Sequence, residues 1–412
     1  MGMDEIVVGL DIGSGKVCTV IGELGVDDQI EIIGIGTSPS LGIRKGIIID
    51  LEQAIQSVKE SIESAERMAG TRINSAFVSI AGSHITSVNS KGVIAISGES
   101  PEITENDIEK VIEAAKAGIV SSDKELIHTL SREFIVDGQS GISDPLGMSG
   151  ARLECKVHIV TGSITAVQNL IKCVEGAGLD IEEIIFGTLA SSNAVLSNAE
   201  KDLGVLLIDI GAGTTEIAIF IEGGLAHSAV LPVGGNQITN DLAVGLRTSI
   251  EEAEKIKINY GSAIKSSVSP EKLVEISSIN GKDNYNVSQK YLVEIIEPRV
   301  SEIFSLVGTE VRKSGCYNMI PGGIVITGGS SLLPGISEVA EQVLNLSSRL
   351  GRPHYEGELA DMINDPSYSE AIGLLSFATE KYSIRRSFQS TKRKTKVKNI
   401  FTKIISWLKD FF

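Results

Sequence analysis

Aromatic side chains are scarce: Phe, Trp and Tyr make up 4% of the 412 residues, too few for a surface on which nucleic-acid bases stack. Cysteine is scarcer. Cys18, Cys155, Cys173 and Cys316 form neither a CxxC pair nor a disulfide framework, which points to a reducing compartment. No apolar run reaches the roughly 18 residues that would cross a bilayer. No basic segment precedes an apolar one near the N-terminus, so no secretory signal is expected and the body of the chain reads as cytosolic. The five histidines (His84, His128, His158, His227 and His354) are scattered. Cys155 and His158 lie three apart on a predicted strand, so they point to opposite faces and cannot chelate one ion together. Neither a nucleophile–histidine–acid set nor a metal-ligand spacing stands out.

What is present is a globular chain, 42% hydrophobic and 22% charged, long enough for two or three domains. Its 43 glycines exceed the average share of about 7% and predict many tight turns or close backbone approaches. The net charge of −16 is unevenly placed. Residues 385–412 hold nine Lys and Arg against the single acid Asp410, so the tail carries +8 and the rest of the chain −24. An acidic body will not coat nucleic acid, whereas a basic tail suits an anionic surface.

The most informative feature is an internal repeat. Ile6–Leu24 reads IVVGLDIGSGKVCTVIGEL and Val205–Leu225 reads VLLIDIGAGTTEIAIFIEGGL. Each is an apolar strand, then Asp-Ile-Gly-x-Gly, then an alternating strand, so each predicts a hairpin with a glycine turn. Gly13, Gly15, Gly211 and Gly213 let backbone N–H groups approach an anion, as a phosphate cradle requires. Ser14, Thr214 and Thr215 add hydroxyl donors, and Lys16 can neutralise phosphate charge. Asp11 and Asp209, at the ends of apolar strands, are placed to hold the water shell of Mg²⁺. One such turn could be an ordinary hairpin; two matching copies point to phosphate binding and to two related α/β halves.

Between and after the repeats, periodicity predicts helices over Leu51–Met68, Thr104–Ala117, Ile164–Glu175, Thr188–Asn198, Gln237–Leu246, Ile250–Tyr260, Ser288–Lys313 and Ser369–Ala378. Another is expected from Pro334. Strands are expected at Glu31–Ile35, Ile73–Ala81, Val88–Ile96, Leu126–Val136, Leu153–Val160, Val274–Asn280 and Ile324–Ile326. Gly138–Gly150 reads as a loop. The strand Ile324–Ile326 runs into Thr327-Gly328-Gly329-Ser330, whose flat backbone could seat a planar base.

This order of hairpin, connecting helix, second hairpin, Gly-Gly strand-turn and final helix resembles the actin, Hsp70 and sugar-kinase ATPase superfamily. Within it, the chain is similar to the FtsA family of bacterial division proteins from about Ile6 to Phe412. The resemblance implies an α/β, actin-like two-lobed ATPase fold with an FtsA-type inserted subdomain and a C-terminal amphipathic helix. The expected division is a first lobe (1–85, 162–198 and 369–383), an inserted β/α subdomain (86–161), and a second lobe (199–231 and 311–368) with its own subdomain (232–310). A basic flexible linker (384–398) and a terminal helix (399–412) follow.

The resemblance also implies ATP and Mg as cofactors, with Glu254 and Lys257 presented to a ribose, and with Gly234, Gly235, Gly328, Gly329 and Ser330 near the nucleotide. It implies polymerisation, docking of the FtsZ C-terminal tail on 232–310, recruitment of other division proteins, and a peripheral place on the inner face of the membrane at the division site. One departure stands out. Active relatives carry an acid or Gln at the start of the first connecting helix, where this chain reads Phe186-Gly187-Thr188-Leu189-Ala190-Ser191; slow hydrolysis at best is therefore expected, and no catalytic residue is assigned. Two other members of the superfamily, a small-molecule kinase and a PilM-type pilus adaptor, share the hairpins but leave the tail unexplained.

That tail reads NIFTKIISWLKDFF from Asn399 to Phe412. On a helix, Ile400, Phe401, Ile404, Ile405, Leu408, Phe411 and Phe412 share one face, with Trp407 near its boundary and Thr402, Lys403, Ser406, Lys409 and Asp410 opposite. Behind a basic linker, this is the pattern of an interfacial membrane anchor.

Overall fold

The computed structural model describes residues 5–25, 29–97, 102–269, 271–278 and 284–392, with the backbone alone for 380 and 383–392. Two five-stranded sheets form the frame, and they share one plan. In the first lobe the central strand Glu5–Ile12 pairs antiparallel with Lys16–Leu24, which pairs with Ile30–Pro39. On its other side it runs parallel to Ser75–Ile80, and that strand to Asp180–Phe186. In the second lobe Val205–Ile210 takes the central place, with the antiparallel pair Thr215–Ile221 and Gly224–Leu231 on one side. The parallel pair Ile324–Thr327 and Ser348–Leu350 lies on the other. The repeat read from the two Asp-Ile-Gly-x-Gly segments is thus a duplication of whole sheets.

Both central strands are buried nearly end to end, as expected where helices cover both sheet faces. Leu10, Phe77 and Phe186 sit in the first core and Leu206, Ile208 and Phe304 in the second, all essentially without exposure. Each such side chain contributes about 1.5–3 kcal/mol by leaving water. Local signals set the helix ends. Leu51–Ala69 begins where Asp50 accepts a hydrogen bond from the Gln53 N–H (3.1 Å), and it ends at Gly70, whose φ of +67° an L side chain would resist.

The inserted subdomain is a four-stranded antiparallel sheet, in the order Thr86–Ala95, Arg152–Ser163, Lys124–Val136 and Gln139–Ile142. One helix, Glu105–Lys116, covers it and starts at the Thr104/Asp107 capping box read from the sequence. Alternation along Arg152–Ser163 sends Cys155 into this core and His158 to the other face. There His158 Nδ1 meets Asn89 Oδ1 at 2.7 Å and Nε2 meets Ser228 Oγ at 2.8 Å. Burial holds this histidine down at about 3, hence neutral. With Ser87 Oγ donating to the Ser228 carbonyl (2.6 Å) and Asn89 Nδ2 to that of Ala226 (2.9 Å), the insertion docks on the outer strand of the second lobe.

Several elements differ from the sequence reading. Asp180–Phe186 is a strand, although its adjacent acids break alternation. A register shift between Ile181 and Glu183 accommodates them, and Glu182 and Glu183 are taken up by Tyr382 and Lys381. Gln139–Ile142 pairs within the stretch expected to be a loop. Gly224–Leu231 and Asn284–Ser288, not foreseen, are strands. The helix expected over Thr188–Asn198 is two, Gly187–Val195 and Asn198–Leu203, because Ser197 and Glu200 form a new capping box. The closing helix runs from Ser369 to Lys392, through the first part of the stretch read as linker, since Ile384–Lys392 contains no Pro or Gly to stop it. Residues 393–398 and the terminal helix 399–412 lie outside the described residues.

Candidate functional site

The two glycine turns face each other across the gap between the lobes. A Cβ built at Gly15 would lie 2.8 Å from Ala212 Cβ, and one at Gly213 would lie 2.8 Å from Ser14 Cβ. No side chain fits at either glycine, so backbone N–H groups line the gap. Behind the turns lies a cleft of about 420 Å³, within the range of small-ligand sites. Asp11, Gly13, Ser14, Gly15 and Lys16 line it from the first lobe; Asp209, Gly211, Gly213, Thr214, Glu254, Lys257, Gly328, Gly329 and Ser330 line it from the second.

Three residues named from the sequence do not line it. The Thr215 hydroxyl is buried and donates to the Val233 carbonyl (2.8 Å), so it serves the fold. Gly234 and Gly235 support the second turn from behind. Gly235 N–H donates to the Gly211 carbonyl (2.9 Å), and Gly234 N–H donates to Gln237 Oε1 (2.8 Å). Ser330 Oγ donates to the same Gly211 carbonyl (3.0 Å), tying the Gly-Gly turn to the second hairpin.

Glu254 and Lys257 meet as the helical spacing requires, Nζ to Oε2 at 2.7 Å. Thr239 joins them: its hydroxyl bonds Glu254, and Lys257 Nζ lies 2.9 Å from it. Lys16 Nζ donates to Ser367 Oγ (3.0 Å) and sits 3.4 Å above the Tyr368 ring centre. Burial holds its pKa below the ordinary lysine value, so the cleft keeps a cation that is poorly hydrated and ready to meet an anion.

Two carboxyl groups escaped the sequence reading. Glu216 faces Asp209 across the hairpin and lines the cleft; hairpin register, counted outward from the turn, would have found it. The equivalent position in the first hairpin is Cys18, opposite Asp11. Glu370 comes from the closing helix and also lines the cleft, and no local pattern in the sequence marks it.

All four of these acids are raised by burial, Glu370 well above its ordinary value. Asp11 is pushed from 3.8 to about 7, with the nearby Lys16 opposing and Asp209 adding. Asp209 rises to about 6 against the hydrogen bond from Ser191 (2.7 Å). Glu216 rises from 4.5 to about 8, with Asp209 adding to burial and Thr188 opposing. A folded value above the unfolded one means stability that is complete below the unfolded pKa and lost as pH rises through the folded one. The thermal midpoint of the nucleotide-free chain is therefore expected to fall between pH 6 and 8, and Glu216→Gln to flatten that fall. A native midpoint that holds level or rises over this window would contradict it.

The donor set fits a phosphate-bearing ligand: opposed backbone turns, one cation, hydroxyls at Ser14 and Thr214, and two acids at the strand ends. Asp11 and Asp209 suit a cation that keeps its water shell. Among the described residues no three His, Cys, Asp or Glu side chains converge to enclose a metal by themselves.

Comparison with known proteins shows the family. The family model "Cell division protein FtsA" matches residues 206–373, and "SHS2 domain inserted in FTSA" matches 82–161. Cell division protein FtsA of Pseudomonas aeruginosa is 45% identical over 379 residues, covering 92% of this chain and 90% of that protein. FtsA of Escherichia coli K12 is 36% identical over 416 residues, covering 99% and 98%. The chain belongs to the FtsA family of cell division proteins.

Solved structures show the fold to be actin-like, as the resemblance implied. The PilM–PilN type IV pilus biogenesis complex superposes with a TM-score of 0.66 at 17% identity, covering 89% of this chain and 97% of that one. MreB 5 of Spiroplasma citri, bound to AMPPNP, superposes at 0.54 and 15% identity, covering 94% and 99%. At such identities the likeness concerns fold alone, whereas the FtsA relatives match sequence over nearly the whole chain.

Proposed function

We propose that this FtsA-family chain binds Mg·ATP in the interlobe cleft, polymerises, and tethers FtsZ to the inner face of the cytoplasmic membrane at the division site, where it recruits other division proteins. The observation that carries the nucleotide part is the pair of glycine turns meeting over Asp11, Asp209 and Lys16. In this reading the turns and Lys16 hold the phosphates, Glu254 and Lys257 the ribose, and Gly328, Gly329 and Ser330 the base. Asp11 and Asp209 hold the water shell of Mg²⁺, whose charge would offset that of the phosphates. The FtsZ tail is assigned to 232–310. Among the described residues no helix is long and apolar enough to cross a membrane, and the proposed anchor is the amphipathic segment 399–412, outside those residues.

Nucleotide here is a conformational ligand more than a fuel, because the start of the first connecting helix offers only hydroxyls. Those hydroxyls are engaged: Thr188 donates to Glu216 and Ser191 to Asp209. Turnover should stay below about 1 s⁻¹, the low end of common enzyme rates. Lys16→Ala removes a charge-assisted contact worth about 1.5–3 kcal/mol, so titration calorimetry should show Mg·ATP bound at least tenfold more weakly. A native chain that takes up no Mg·ATP at millimolar concentration would refute the nucleotide reading.

A further inference from the structure

Lys16 reaches the cleft without an anionic partner. Its Nζ donates to Ser367 Oγ (3.0 Å) and stands 3.4 Å above the centre of the Tyr368 ring. Among the described residues no carboxylate comes within ion-pair distance of it, and Asp11 and Asp365 act on it only from farther off. A lysine drawn partly out of water ordinarily pairs with an acid. This one is held by a hydroxyl and a ring face, two neutral groups that leave its charge uncompensated.

Local sequence builds the grip. Asp365-Pro366-Ser367-Tyr368 forms one tight turn. Asp365 Oδ1 accepts from the Ser367 N–H (2.9 Å) and the Asp365 carbonyl from the Tyr368 N–H (2.9 Å), while proline takes the first position, where an N–H would go unused. The turn is fastened to the second lobe. The Pro366 carbonyl accepts from the Gly328 N–H (3.2 Å), and the hydroxyls of Thr327 and Ser369 meet at 2.6 Å. The Gly-Gly turn of the second lobe thus sets the ring and the hydroxyl that hold a lysine of the first.

We propose that Tyr368, assisted by Ser367, is the positioning residue for Lys16: its ring face holds the ammonium at the phosphate end of the cleft before a nucleotide arrives. The inference rests on the nucleotide reading above. A lysine free to sample its rotamers loses that freedom when it closes on a ligand, and affinity falls accordingly. A lysine already held does not. The ring attracts the ammonium through its quadrupole and carries no opposing charge, so the full positive charge stays available to the phosphates. A carboxylate in the same place would hold the lysine as firmly but neutralise it.

The test is a double-mutant cycle in the full chain, read as Mg·ATP affinity by titration calorimetry, with the thermal midpoint of each nucleotide-free variant recorded beside it. Tyr368→Leu should weaken binding about fivefold or more. Tyr368→Phe, which keeps the ring face, should stay within about twofold of the native chain. With Lys16→Ala already in place, Tyr368→Leu should have almost no further effect, because the two residues act as one. Ser367→Ala should likewise weaken binding only where Lys16 is present, and this second cycle carries the test if Tyr368→Leu melts too low to be measured. Equal losses with and without Lys16 would show a structural role and overturn the proposal. So would a Tyr368→Leu chain that bound like the native one, or a Tyr368→Phe chain that lost as much as Tyr368→Leu. A native chain that took up no Mg·ATP would instead defeat the nucleotide reading on which the proposal stands.

Discussion

Adding one methyl group at Gly373 is expected to cost about 3 kcal/mol or more, the upper end of overpacking. The new Cβ would overlap the carbonyl carbon and oxygen of Ala190. These are backbone atoms in the middle of a helix and cannot swing aside as a side chain would. The closing helix must then lift from Gly187–Val195, the helix it packs against most closely outside the sheets. Ala190, Leu374 and Leu375 belong to a buried cluster that continues into the second lobe at Leu207, Ala218 and Val325, so its loss should be felt by both lobes. Gly70→Ala is the control. Nothing lies within 4 Å of the Cβ there, and only the left-handed backbone, at about 1–2 kcal/mol, opposes it. Thermal unfolding of the three proteins decides the matter: Gly373→Ala should melt well below Gly70→Ala. A Gly373→Ala chain that melted with the native one would mean that the two helices are not in backbone contact.

The difference between these glycines bears on what a sequence discloses. The hairpins were legible because their information is local: an apolar strand, an acid, two glycines and a second strand within about twenty residues, written twice. The same holds for the capping box at Thr104 and Asp107, and for Glu254 and Lys257, which a helix brings together by its own period. Gly187, Gly373 and Glu370 carry no local signal. Their roles come from two helices nearly two hundred residues apart crossing at backbone distance, and glycine in a helix otherwise reads only as a weakness. Thr215 shows the opposite failure: the motif names it, but strand alternation turns its hydroxyl toward Val233 and away from the cleft. Asp180–Phe186 was hidden because Glu182 and Glu183 look like solvent-facing residues, while the structure uses a bulge to hand them to Tyr382 and Lys381.

Removing the last thirteen residues should abolish membrane attachment. The full chain is expected to sediment with vesicles rich in anionic lipid in the presence of Mg·ATP, and a chain ending at Asn399 to stay in solution. FtsZ should follow the full chain to the vesicles, with hydrogen exchange slowed within 232–310, and should remain behind with the shortened one. Trp407 is the only tryptophan, so its emission should shift to the blue as the helix enters the interface.

Two terms add in this binding. Large apolar residues gain up to about 1.5–3 kcal/mol each when fully buried, although interfacial burial is partial and the helix must first be ordered. Basic residues add about 1 kcal/mol each near an anionic surface and are screened by salt. Binding should therefore weaken sharply on neutral vesicles and at high ionic strength, which a purely apolar anchor would not do. A single tail held by such terms releases reversibly, so a lone molecule is a poor tether. Copies joined in a filament present many tails at once, and avidity makes the same weak anchor hold. The proposed anchor, with Lys403 and Lys409 on its polar side, and the proposed filament are thus complementary: an anchor this weak needs many copies to hold. If both chains sedimented equally, the tether would lie in the body; if neither did, the terminal helix would be docked on the protein itself.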